Sequence, residues 1–175
     1  MRIGIDISQL AYERTGVANY LKNLVEEMVK QDSENEYILF FSSLRAKLPQ
    51  LAIPSQANVQ IKQFKLPPSL LDFIWNTLHI LPIEWFIGSV DIFISSDWTE
   101  PPTKKAKKAT IVYDTTVYLF PDETAEKIQN VQKRKNNWVK KESDLVLTIS
   151  ESAKKDIEKI LGIPTEKIKV MYPGV

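Results

Sequence analysis

Apolar and polar positions fall into blocks along this chain, and the blocks switch period in a regular order. Residues 2–8 (RIGIDIS) form a short Ile-rich apolar run, the pattern of a strand buried on both faces. After a loop at 9–16, Val17, Leu21, Leu24, Val25 and Met28 recur at the spacing of one face of an amphipathic helix. Residues 37–41 (YILFF) and 59–64 predict the second and third strands. Ser69 is expected to cap a helix running to about Leu81, and Pro82 to open a short helix over 83–87. Residues 90–94 (VDIFI) and 109–113 (ATIVY) read as strands four and five. A weaker amphipathic helix is expected over 122–142, with Ile128, Val131 and Trp138 on its apolar face. Residues 144–149 (DLVLTI) predict a sixth strand. Ser150 then caps a helix presenting Ala153, Ile157, Ile160 and Leu161, which Gly162 stops. Residues 168–172 (IKVMY) predict a seventh strand, followed by Pro173 and Gly174.

Strands alternating with helices imply right-handed parallel βαβ units. The expected fold is α/β: a Rossmann-like, doubly wound, mostly parallel sheet of about seven strands with helices on both faces. The chain of 175 residues reads as one domain, with no repeat and no internal linker. Its ending on a strand and Pro-Gly reads as the edge of a larger architecture.

Composition removes several function classes. The chain has no Cys and one His, which excludes a disulfide scaffold, a thiolate zinc site, a cysteine nucleophile and a three-His metal site. With 23 basic and 22 acidic residues the net charge is +1, so no overall field draws nucleic acid. The N-terminus lacks the apolar stretch of a signal peptide, and charged and polar residues break the apolar segment 70–90. A cytoplasmic protein is expected, with the inner membrane face as a peripheral alternative.

Ligands of open α/β sheets bind outside the carboxyl ends of the strands. That rule selects four loops. Gly16 and Val17 open the first helix, where free N–H groups favour a phosphate; a plain helix start is the alternative. Tyr113 and Asp114 leave a buried strand, so Asp114 suits a role in binding hydroxyls or as a turn cap. Asp97, Trp98 and Glu100 combine carboxylates with an aromatic face, a composition suited to carbohydrate and equally ordinary in loops. Ser150 and Glu151 follow the sixth strand. The lysines at 104, 105, 107 and 108, and the basic residues Lys133, Arg134, Lys135, Lys140 and Lys141, read first as solvated faces. An anionic partner is their functional alternative. His79 reads as an ordinary core or surface residue.

Three segments carry a family resemblance: RIGIDISQLAYERTGVANYLKNLVEEM, ATIVYDTTVYLFPD and SDLVLTISESAKKDIEKILGIPTEKIKVMYPGV. Together they resemble the N-terminal domain of family 4 (group 1) glycosyltransferases of the GT-B fold, over essentially the whole chain. The resemblance implies transfer of a sugar from a nucleotide-sugar donor to an acceptor hydroxyl, with retention and without metal or other cofactor. It implies that this domain holds a carbohydrate or lipid-linked acceptor. It also implies that Gly16 and Val17 lie against the donor phosphates and that Tyr113 and Asp114 sit at the reaction centre. The third segment ends at what resembles the family's domain junction, with the donor-binding C-terminal domain absent, so the isolated chain is expected to be inactive. Two departures stand out: one glycine in the first loop instead of two, and Tyr113 where the family often has His. A non-catalytic module binding carbohydrate or a partner is the alternative, and an unrelated nucleotide binder is disfavoured by the missing GxGxxG. Exposed apolar surface at the junction would also suit a homodimer.

Overall fold

The computed structural model describes residues 1–54 and 58–174; Val175, the last residue of the third resembling segment, lies outside them. All seven expected strands are present: β1 (Arg2–Asp6), β2 (Glu36–Ser42), β3 (Val59–Phe64), β4 (Ile92–Ser95), β5 (Lys107–Ile111), β6 (Leu145–Thr148) and β7 (Ile168–Val170). They form one sheet in the order β3-β2-β1-β4-β5-β6-β7, with every neighbouring pair parallel. The chain builds outward from β1 through β2 to β3, then returns to the other side of β1 for β4. The order therefore reverses between β1 and β4, and the crevice at their carboxyl ends is where such sheets bind ligands.

The parallel register sorts side chains between two faces. Ile3, Ile5, Leu39, Ile94 and Ile111 point to one face, where they bury Leu21, Val25 and Val29 of α1 (Gly16–Gln31). Thr15 caps α1 by accepting from the Ala18 N–H at 3.2 Å. On the opposite face Ile38, Phe40 and Phe93 surround Trp75, Ile83 and Ile87, while Val112 and Val146 pack on Val139, Ile157 and Leu161. These belong to α2 (Pro68–Leu71) with its π-helical continuation Asp72–Thr77, α3 (Glu84–Ile87), α5 (Glu126–Glu142), and α6 (Glu151–Asp156) with its π-helical continuation Ile157–Leu161.

Boundaries differ from the periodic reading where local chemistry overrides it. The helix expected to be capped by Ser69 starts two residues earlier, with Pro67 at the cap and no side-chain capping bond, because Pro68 fits the first turn. It stops at Thr77 instead of Leu81, because His79 (φ 53°) and Leu81 (φ 60°) are left-handed and break the ladder. The helix expected from residue 122 begins at Glu126, since Pro121–Glu123 forms a separate 3-10 turn. A short α4 (Thr116–Leu119) and a 3-10 turn at Ser8–Ala11 stand where the pattern showed only loop. Ser150 and Gly162 cap α6 as expected, Ser150 accepting from the Ala153 N–H and Gly162 taking φ 65°.

The apolar segment 70–87 is amphipathic in place. Trp75 is fully buried and donates its Nε1 hydrogen to the Leu81 carbonyl at 2.9 Å, whereas Phe73, Leu78, Ile80 and Trp85 are exposed.

Gly4 sits where β1 meets α3. A Cβ there would lie 2.8 Å from Ile87 Cδ1 and 2.9 Å from Phe93 Cδ2, and the Phe93 ring is fully buried. Gly4→Ala is therefore expected to cost about 1–3 kcal/mol through overpacking. Gly16→Ala, where a Cβ meets nothing within 4 Å, should leave stability within about 0.5 kcal/mol. Urea midpoints of the two variants check the contrast.

Candidate active site at the carboxyl edge of the sheet

Two sites line this edge, joined by one hydrogen bond. The first is a cleft of about 630 Å³ between the start of α1, the loop after β5, and residues 171–174. It brings Gly16, Val17, Tyr113 and Asp114 together from positions nearly 100 residues apart, with Tyr20 beside them. Arg14 takes φ 71° in the loop that leads into the Thr15 cap. Gly16 is exposed at the first turn of α1, and the space a side chain would fill is open. Asp114 is exposed and accepts from the Thr116 N–H at 2.8 Å, which fixes one oxygen and leaves the other to the cleft.

Tyr113 is buried, packs edge-on against Tyr20 at 5.7 Å, and shares a 3.1 Å hydrogen bond with Ser96. Burial pushes its phenol well above the usual range, so it stays protonated near neutral pH. Tyr20 in turn donates to the Met171 carbonyl at 2.9 Å, tying the far wall of the cleft to α1.

Ser96 leads into the second site, a cavity of about 310 Å³ in the crevice between β1 and β4. Asp6, Gln9, Asp97 and Trp98 line it. On the other side of Trp98 and Tyr12, which also line it, lies a further cavity of about 340 Å³ bounded by Lys127, Ile128 and Val131. The loop that carries Asp97 and Trp98 is held from two helices. Asn76, almost fully buried, donates to the Trp98 carbonyl at 2.9 Å and accepts from the Glu100 N–H at 2.9 Å. Gln132 donates to the Asp97 carbonyl at 2.9 Å and to its carboxylate at 3.2 Å.

Glu100 does not join Asp97 and Trp98 at the surface, which corrects the expectation that it faces a ligand. It is fully buried on the opposite side of the loop. Its carboxylate accepts from Ser95 and Thr110 and pairs with Lys108 Nζ at 3.1 Å, so its oxygens are already committed.

Of the basic residues, Lys104, Lys105, Lys107, Lys140 and Lys141 are solvated as expected, whereas Lys108 and Lys135 are not. Lys108 is buried between Glu100 and Glu142. Lys135 is 1% exposed and donates to the Ile111 carbonyl at 3.2 Å, with the charges of Asp6, Asp97 and Glu100 around it. Burial lowers its pKa while those three carboxylates oppose the shift. Arg134 pairs with Asp72 at 2.6 Å. His79 stacks on Trp138 at 3.5 Å and bridges the Trp75 carbonyl and the Glu142 carboxylate. Ile128 and Val131, expected in the core face of α5, border the cavity, and the inner face is Lys135, Asn136 and Val139. Period alone misses this exchange, because lysine and asparagine read as polar wherever they stand.

Among the described residues no group of three or more His, Asp or Glu is placed to hold a metal ion, and no helix is long and apolar enough to cross a membrane.

Two predictions separate structural from ligand-facing carboxylates. Glu100→Gln should cost about 3 kcal/mol, because it leaves part of the Lys108 charge uncompensated in the interior; equilibrium unfolding in urea measures it. Asp97 behaves differently. Burial raises its pKa, with Lys135 and Gln132 opposing and Asp114 adding to the rise. A raised acid stabilises most below its unfolded value, about 3.9, and loses that contribution as pH rises through the folded value. The stability of Asp97→Asn relative to the parent chain should therefore increase from pH 4 to pH 7, read from paired unfolding curves.

The comparisons agree with this architecture. No curated protein sequence matches the chain. Among solved structures, the apo form of the lipopolysaccharide outer core galactosyltransferase WaaB superposes with a TM-score of 0.50 at 15% identity. The match covers 100% of this chain and 46% of that one, so the chain spans about half the length of its structural relative and shares the Rossmann-like fold of a GT-B half. The family model described as Glycosyltransferase Family 4 matches residues 14–175, from the loop before α1 through all the strands that follow, and the chain is a member of that family.

Proposed function

We propose that this chain is the acceptor-side, N-terminal domain of a glycosyltransferase that moves a hexosyl group from a nucleotide-sugar to an acceptor hydroxyl. The observation that carries the reading is the 630 Å³ cleft that gathers Gly16, Val17, Tyr113 and Asp114 at the carboxyl edge of the sheet. In this reading the first turn of α1, where the Thr15 cap takes the Ala18 N–H and leaves those of Gly16 and Val17, receives the donor phosphates. Its free N–H groups and the helix dipole favour an anion, and the missing Cβ of Gly16 allows close approach. The donor nucleotide is held largely by a second domain that closes over the cleft. Asp114, oriented by the Thr116 N–H, accepts a hydrogen bond from the reacting acceptor hydroxyl and steers it toward the sugar carbon. Tyr113 positions this loop through Ser96 and Tyr20. Retention of configuration, independence from metal or other cofactors, and a cytoplasmic location belong to the same proposal and rest on the family resemblance.

The test is a transfer assay on the two-domain enzyme with a panel of nucleotide-hexoses. Asp114→Asn should lower kcat by about 10²–10⁴-fold. Tyr113→Phe should lower it by about tenfold or less, and Gly16→Ala should mainly raise the donor KM. Activity should survive EDTA, and proton NMR of the first-formed product should show the anomeric configuration of the donor. Full activity in Asp114→Asn, or efficient transfer by the 175-residue chain alone, would overturn the assignment of roles.

A further inference from the structure

Met171 is the first residue past β7, the edge strand of the sheet. Its N–H extends the β6–β7 ladder by donating to the Thr148 carbonyl at 2.7 Å. In a parallel pair the next bond would run from the Ser150 N–H to the Met171 carbonyl. Ser150 has left the sheet to cap α6, so that carbonyl is left without its ladder partner. The Tyr20 hydroxyl takes the place, donating to it at 2.9 Å from a position 151 residues away in the chain. Beyond Met171, residues 172–174 make no hydrogen bond among the described residues, and Tyr172 is exposed. The Tyr20 bond is therefore the last hydrogen bond that fixes where the chain goes after β7.

The ring of Tyr20 makes a second contact. It stands edge-on to Tyr113, with centroids 5.7 Å apart and planes at 88°. Tyr113 precedes Asp114 and shares its hydroxyl with Ser96. One side chain on α1 thus joins two walls of the cleft, the loop after β5 and the segment after β7. Residue 20 lies among Val17, Leu21 and Leu24, where a phenylalanine would satisfy the packing equally well. Only the hydroxyl reaches Met171. Burial raises its pKa, so it keeps its proton and remains a donor near neutral pH.

The direction in which a chain leaves one domain sets where the next one stands. Misplacing reacting groups by about 1 Å is enough to cost about 10²-fold in rate. We propose that Tyr20 is a positioning residue for transfer: its hydroxyl fixes the path of residues 171–174 and its ring braces Tyr113, so that a domain following this segment closes over the cleft in register with Asp114. The link to transfer rests on the function proposed above; the anchoring of residues 171–174 does not.

Tyr20→Phe, which keeps the ring and removes the donor, provides the test. On the 175-residue chain, ¹⁵N relaxation should show the order parameters of Met171 and Tyr172 falling from the rigid range, about 0.85, to below about 0.6. Those of α1 should not change, and neither should the Tyr113 ring signals. Tyr20→Leu, which also removes the brace, should shift the Tyr113 signals in addition. In the two-domain enzyme, labelled once on each domain and free of substrate, Tyr20→Phe should broaden the interdomain distance distribution measured by pulsed EPR. Neither a loss of stability nor a lost ligand contact produces that broadening. The donor KM should rise about fivefold while the acceptor KM stays unchanged. Unchanged order at 171 and 172, a loosened segment without broader interdomain distances, or an equal rise in both KM values overturns the proposal. A two-domain enzyme that transfers no sugar would count against the proposed function, while the relaxation and distance measurements would still decide whether Tyr20 anchors the segment.

Discussion

The ion pair between Lys108 and Glu100 is the contact on which the working edge of this sheet depends. Both groups are almost entirely removed from water, a state tolerable only when every charge is paired and every remaining lone pair is used. Ser95, Thr110 and Glu142 supply those partners, and Ser143 extends the chain through Thr110. The result is a polar seam across one face of the sheet, lying between two apolar clusters, one built on Phe93 and Trp75 and the other on Val112 and Val146. Because Glu100 is anchored inward, the chain just before it must turn outward, and that turn presents Asp97 and Trp98 to the crevice.

The seam also fixes how the helices on that face sit relative to one another. Glu142, at the end of α5, reaches Lys108 on β5 and His79 beyond the π-helical turns. Trp138 donates to the Asn76 carbonyl at 2.9 Å, and Arg134 pairs with Asp72 four residues earlier on the same segment. The left-handed His79 is one reason the helix ends where it does, and its ring then bridges two acceptors while stacking on Trp138. Asn76, held at the centre of this array, grips the loop at Trp98 and Glu100. Residues far from any ligand thus set the position of the residues that line the cavities.

Charge arrangement distinguishes the two sites on the edge. The cleft beside α1 has a helix N-terminus, two exposed carboxylates, Asp114 and Glu27, and a volume of about 630 Å³. The crevice beside β4 is lined by the carboxyls of Asp6 and Asp97, each already accepting a hydrogen bond from the chain, with Lys135 behind them. They communicate through Ser96 and Tyr113, a single hydrogen bond between loops that follow adjacent strands.

Much of this was legible in the linear pattern. Apolar runs at two-residue and 3.6-residue periods located all seven strands and the long helices, because burial of an apolar face is a local demand that neighbouring residues must meet together. Thr15-Gly16, Ser150 and Gly162 announced helix ends, because caps are satisfied within a few residues. The loop rule for parallel sheets pointed to Gly16, Asp97, Trp98, Tyr113 and Asp114, and all of them line the edge. Tertiary structure alone decided the rest. Glu100 and Lys135 read as polar wherever they stand, and only their partners in space, Lys108 for Glu100 and the Ile111 carbonyl for Lys135, determine that they are buried. The meeting of Gly16 and Asp114 in one cleft likewise follows from strand order. That order is set by how seven parallel strands share two faces, a constraint no local window contains.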